Sequence, residues 1–249
     1  MKKSISFFLI FVSLFTIFYC KQKVTVESEK PSPVVFLHNE SDTSQSESGI
    51  DAIPEGDFIR LEWIPSSEDI VSGYEIYRTQ LTRNGFFQRI ADAEEVEAYQ
   101  DVYIDEVDTT GIRYFYYILA VTPDGEKSAP SDTLDYKLLQ KAELLQPIGT
   151  QDERIPLFRW KDENEFPSQS YVVRLIQQDN ENYLWIHLMS GDEINWGGQE
   201  QSIRFNVDHS AAIDSLELNQ SYRWRIDIVG AESNSGSESV WREFTVKAP

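Results

Sequence analysis

Asp208, His209 and Ser210 stand in a row, the three side-chain types of a nucleophilic triad written consecutively. Consecutive residues of a strand point to opposite faces, so the three cannot align as orienter, base and nucleophile, and the stretch reads as a turn at a strand end. His38, His187 and His209 are the only histidines, with no HxxxH pair and no cysteine beside them, which argues against a zinc site. GxSxG and phosphate-cradling glycine loops are absent. The run DAEEVEAYQDVYIDEVD, residues 92 to 108, places eight acidic residues in 17 but lacks the DxDxDG loop of a calcium site, so it reads as a solvated acidic edge. These residues predict a protein that is not an enzyme and holds no metal or cofactor.

Aromatic residues offer more. In YLWIHL, residues 183 to 188, alternation puts Tyr183, Trp185 and His187 on one face and Leu184, Ile186 and Leu188 on the other. Both faces are bulky. Either one is exposed and, with Trp196 in the loop NWGGQE, forms a platform for a sugar ring or a protein partner, or both are packed in an enlarged core.

The remaining reactive group is the single cysteine, Cys20. It follows Lys2 and Lys3 and an apolar run from Ile5 to Tyr19, the three-part pattern of an export signal. As a helix, that run would span about 22 Å, short of the roughly 30 Å hydrocarbon core. A lone thiol in an oxidising compartment has no internal disulfide partner and needs another use. The segment resembles a bacterial lipoprotein signal, and the resemblance implies cleavage before Cys20 and attachment of lipid to its sulfur. Two or three acyl chains, at about 0.8 kcal/mol per buried methylene, would hold the chain on a membrane. Lys21 rather than Asp follows the cysteine, so the inner-membrane retention residue of such proteins is missing and the expected place is the outer membrane, on its periplasmic or outer side.

These groups must be carried by elements, and the composition limits which. The chain is 41% hydrophobic and 13% aromatic, enough to fill a core. Its 22 basic against 42 acidic residues give a net charge of -20, which excludes nucleic acid and an anionic membrane patch as natural partners. Residues 38 to 49 carry no aliphatic or aromatic side chain before Gly49, so 20 to 49 is expected to be a flexible tether, with Val34 to Leu37 as an apolar spot that is idle, docked on a sheet edge or a partner's handle.

From Ile50 onward the period is two. FIRLEWI (58 to 64), YEIYR (74 to 78) and YFYYILAV (114 to 121) alternate between turn clusters, the pattern of an all-β sandwich. Leu61, Trp63, Tyr74, Ile76, Tyr114, Tyr116, Ile118 and Ala120 form the expected core. The run LEWIPSSEDIVSGYEIYR with RYFYYILAVTPDGEKSAPSD closely resembles a fibronectin type III domain, through Trp63, the Gly73-Tyr74 pair, the corner tyrosine Tyr114 and the Gly125, Ser128, Pro130, Ser131 stretch. FRW (158 to 160), SYVVRLI (170 to 176) and SYRWRIDIVGAESNSGSESVWREFTV (221 to 246) repeat the plan, with Tyr222 at the corner and Trp160, Trp224 and Trp241 in or beside the core. The resemblance implies two tandem immunoglobulin-like (fibronectin type III) β-sandwiches, at 50 to 139 and 142 to 249, behind a signal peptide over 1 to 19. The short join KLLQKAELLQP predicts an end-to-end arrangement with limited swing. Such modules bind proteins or glycans as a class, and no particular ligand follows.

Overall fold

A computed structural model describes residues 29–164, 168–179 and 181–248. The proposed signal, Cys20 and the first part of the tether lie outside these residues. The described chain is all-β, and its first half lays out strands β1 (Val35–Phe36), β2 (Ile50–Ile53), β3 (Phe58–Ile64), β4 (Gly73–Gln80), β5 (Gln88–Ala91), β6 (Val102–Glu106), β7 (Arg113–Val121) and β8 (Leu134–Leu138). The second half adds β9 (Glu143–Gln146), β10 (Gly149–Gln151), β11 (Leu157–Lys161), β12 (Ser170–Gln177), β13 (Tyr183–Ser190), β14 (Glu200–Arg204), β15 (Gln220–Val229), β16 (Ser235–Glu238) and β17 (Arg242–Val246).

In the first half, β3 pairs with β6 on one side and with β1 and β2 on the other, facing a sheet ordered β5-β4-β7-β8. The second half repeats this as β14-β11-β9 facing a sheet in which β12 pairs with β13 and β15, and β15 with β16 and β17. Each half closes over its own hydrophobic cluster. All eight core residues expected from alternation are fully buried, because period-two strands with one apolar face have only that face to bury.

The repeat holds at the level of single contacts. Trp63 meets Tyr74 edge to face at 5.3 Å, and Trp160 meets Tyr171 in the same way at 5.4 Å. The Tyr114 hydroxyl donates to Thr109 O at 2.9 Å, and the Tyr222 hydroxyl accepts from Glu217 N at the same distance. Beyond the end of the ladder between β7 and β8, serine hydroxyls replace strand carbonyls. Ser131 Oγ accepts from Ile118 N and Ser128 Oγ from Ala120 N, as Ser239 Oγ accepts from Ile226 N. These hydroxyls satisfy buried amides that would otherwise cost about 1–3 kcal/mol each.

One expectation needs correction. The folded part does not begin at Ile50: Val35 pairs with Ile64 and Phe36 with Trp63, and Val34 and Phe36 lie in the first core. Residues 38 to 49 are a loop within a split edge strand. Asn39 fixes its base by accepting from Ile50 N and donating to Ile50 O, at 2.9 and 3.0 Å. Gly49, at φ +97°, closes it where a Cβ would come within 2.3 Å of Asn39 Oδ1. The entropy argument against such a loop holds only while nothing binds its backbone.

The two halves are also held more tightly than a short join alone requires. β8 runs parallel beside β16, Lys137 opposite Ser235 and Leu138 opposite Gly236, so one ten-stranded sheet crosses both halves. Lys137 N donates to Asn234 O and Leu139 N to Gly236 O. Glu232 pairs with both Arg113 and Lys137, and Lys141 Nζ donates to Ile53 O at 2.7 Å. Leu138 belongs to the first core and Ala142 to the second, which leaves three residues, 139 to 141, as the whole join.

Candidate functional site

The seam brings together charges that alternation cannot find by itself. In β12, Tyr171, Val173 and Leu175 enter the second core, so Arg174 projects from the other face of the sheet. In β15, Tyr222, Trp224, Ile226 and Ile228 enter the core, which turns Arg225 and Asp227 the same way as Arg174. Arg174 and Arg225 are cross-strand partners, a repulsive placement unless anions separate them.

Three carboxylates do so. Asp227 bonds Arg174 Nε and lies 2.8 Å from Arg225 Nε, and Glu238 of β16 lies 2.8 Å from Arg225 Nη1. Glu47, from the loop inside the split strand, pairs with Arg174 at 2.8 Å and with Arg225 more closely still. Arg174 also donates to Ser44 O and Asp42 O at 2.6 and 2.8 Å. Residues 42 to 47 therefore form a strap from the first half onto the second. Beneath it β12 is buried on both faces from Ser170 to Ile176, and the guanidinium faces rest on Tyr183 and Trp241.

Asp51 and Tyr136 complete the cluster from the first half, joined by a 2.8 Å hydrogen bond. Burial pushes the Asp51 carboxyl up to about 6, and Glu238 rises well above the usual carboxylate range through burial and the charge of Asp227. Burial opposes charge on Arg225, yet Asp227, Glu238 and Glu47 hold its value above the ordinary one. A polar cavity of about 460 Å³ opens beside the cluster, walled by Asn39, Asp42, Asp51, Tyr136, Arg174 and Glu238. Oxygens of Glu47, Asp227 and Glu238 lie within 4.8 Å of one another, a spacing that suits a cation. Arg225 contacts all three, so its guanidinium already supplies the countercharge.

The aromatic residues separate. A bulge in β13 sets Tyr183 opposite Ile176 and Trp185 opposite Leu175, which puts the two rings on different faces. Trp185 is 2% exposed and packs in the second core, stacked on His187 at 5.1 Å. Tyr183 lies half-buried over Arg174. Trp196 is 55% exposed, with its indole N–H donated to Gly191 O. The three do not form one platform, because the bulge resets the alternation on which that expectation rested.

Asp208, His209 and Ser210 form the expected turn. Ser210 N and Oγ both donate to the Asp208 carboxylate, at 3.2 and 2.6 Å. His187, not His209, reaches Asp208, at 2.9 Å, while its Nε2 lies 3.2 Å from Glu193. Burial works against charge on Asp208, but hydrogen bonds from Ser210, His187 and Trp185 outweigh it and hold the carboxyl far below its ordinary range. Asp208 is the hub, and the serine proton goes to the carboxylate rather than to imidazole, so the arrangement does not activate a nucleophile.

No family model and no curated protein matches the chain. Among solved structures, it aligns with the FN1-FN3 domains of chicken CNTN1 over 89% of this chain and 69% of that one, at 12% identity and a TM-score of 0.34. That likeness is too loose to carry an argument, and the fold rests on the strand pairing described above.

Proposed function

We propose that the chain is a non-catalytic, exported lipoprotein, anchored in the outer membrane through lipid on Cys20, that serves as a binding or spacer module of the cell envelope. Its body is read as two tandem fibronectin type III-like sandwiches, a reading supported by the repeated tryptophan-tyrosine pairs and tyrosine corners. The observation that carries the module role is the double fastening of the two halves, by the pairing of β8 with β16 and by the strap onto Arg174 and Arg225. A protein that only had to stay soluble would not need to bury two guanidinium groups to fix one half against the other. Fixed geometry is what a spacer or presenting module requires. Glycan binding is the weaker reading, since of Tyr183, Trp185 and Trp196 only Trp196 keeps an exposed ring.

Intact-mass measurement of the membrane-extracted protein tests the anchor. The expected product begins at Cys20 and carries two or three acyl chains, and Cys20→Ser abolishes both. An unacylated product starting at any other residue overturns the proposal.

A further inference from the structure

The sheet face of β1, β3 and β6 that points away from the first core sets exposed aliphatic residues around a central Arg60–Glu62 ion pair. Val35 is 58%, Ile64 54% and Ile104 47% exposed, and Leu37 and Val102 lie beside them. They share one face by register: Val35 opposes Ile64, Glu62 opposes Val102 and Arg60 opposes Ile104. Antiparallel sheets with one wet face carry polar residues there, so this face is prepared for a cover.

We infer that this face rests on a membrane surface of zwitterionic lipid, an inference that depends on the proposed Cys20 anchor. Val35 follows Cys20 by 15 residues, a length of chain that reaches at most about 54 Å. An anchor at Cys20 therefore keeps β1 and its sheet near the lipid, and makes the second contact intramolecular, so that a small apolar area suffices. The -20 charge opposes a second copy of the chain on this face and opposes anionic lipid, but not neutral headgroups.

Full-length acylated protein in phosphatidylcholine vesicles tests the inference. Single cysteines are placed by Ile64→Cys or Ile104→Cys, and by Phe86→Cys as a control 85% exposed in the loop before β5 of the other sheet. Each carries a bimane label, and a spin-labelled lipid with its quencher near the headgroups is added. The expected result is at least twofold stronger quenching at 64 and 104 than at 86. Equal quenching in a chain that floats with the vesicles overturns the sheet contact and leaves the anchor standing. A chain that never floats, or floats equally well as Cys20→Ser, overturns the anchor and this inference with it. Equal quenching joined to a cross-link from position 64 to another polypeptide assigns the face to a protein and overturns the lipid contact.

Discussion

Arg225 touches Glu47, Asp227 and Glu238, with its side chain 4% exposed. Removing one partner of a buried ion pair strands the others, which costs about 3–5 kcal/mol, whereas an exposed pair is worth about 1 kcal/mol at most. Arg225→Ala is therefore expected to lower the urea midpoint far more than Arg159→Ala, which breaks only the surface pair with Glu200. Asp51 gives a pH dependence of definite sign. Its folded value is raised, from 3.8 to about 6, so the folded chain holds a proton that the unfolded chain releases first. The resulting stability is fully present below about pH 4 and is lost as pH rises through about 6, a difference on the order of 3 kcal/mol. Asp51→Asn keeps an acceptor for Tyr136 and removes the charge. Its stability minus that of the parent is expected to grow between pH 4 and 7.5 in denaturant titrations, and a flat difference would contradict the assignment. The sequence hides this residue because a charge on the wet face of a strand reads as solvated until its neighbours are known.

At the scale of elements, β16 fits between β15 and β8 only because residue 236 lacks a side chain. A Cβ there would come within 2.5 Å of Ile228 O and 3.0 Å of the Tyr136 hydroxyl. Gly236→Val is expected to push β16 away from both β15 and β8, seen as faster proteolysis at residues 139 to 141 together with a lower urea midpoint of the second half. The corner tyrosines make a milder test. Tyr222→Phe deletes the hydroxyl that Glu217 N donates to, for a loss of about 1 kcal/mol in thermal or urea unfolding. Much at this scale was legible from residues. The burial of Trp63, Tyr74, Tyr116 and Ile118 follows from alternation, and the repeat in the second half follows from FRW and SYRWRIDI. What escaped has a common cause: β1 is two residues long, β13 carries a bulge, and β8 meets β16 in parallel over two pairs. Such short or interrupted elements have no period to read.

For the whole molecule, the strap and the seam make the two halves one body. Small-angle scattering is expected to fit a single rigid shape. Replacing residues 40 to 47 by a Gly-Ser segment is expected to broaden the distance distribution while leaving each core folded, because it removes the Glu47 carboxylate and loosens the backbone whose carbonyls Arg174 holds. A distribution unchanged by that replacement would assign the rigidity to the seam alone. The architecture of two packed cores could be anticipated from the sequence, but their relative placement could not. It depends on pairs such as Arg113 with Glu232, 119 residues apart, whose members look like ordinary surface charges.

The strap also sets an order on synthesis. Glu47 leaves the ribosome well before Arg225, its partner 178 residues downstream. The first core can close as soon as β8 is made, but the fastening between halves waits for β15 and β16. A nascent polypeptide that stops short of β15 therefore holds its first core closed and its strap not fully fastened, and Glu47 gains its pairing with Arg225 only when β15 emerges.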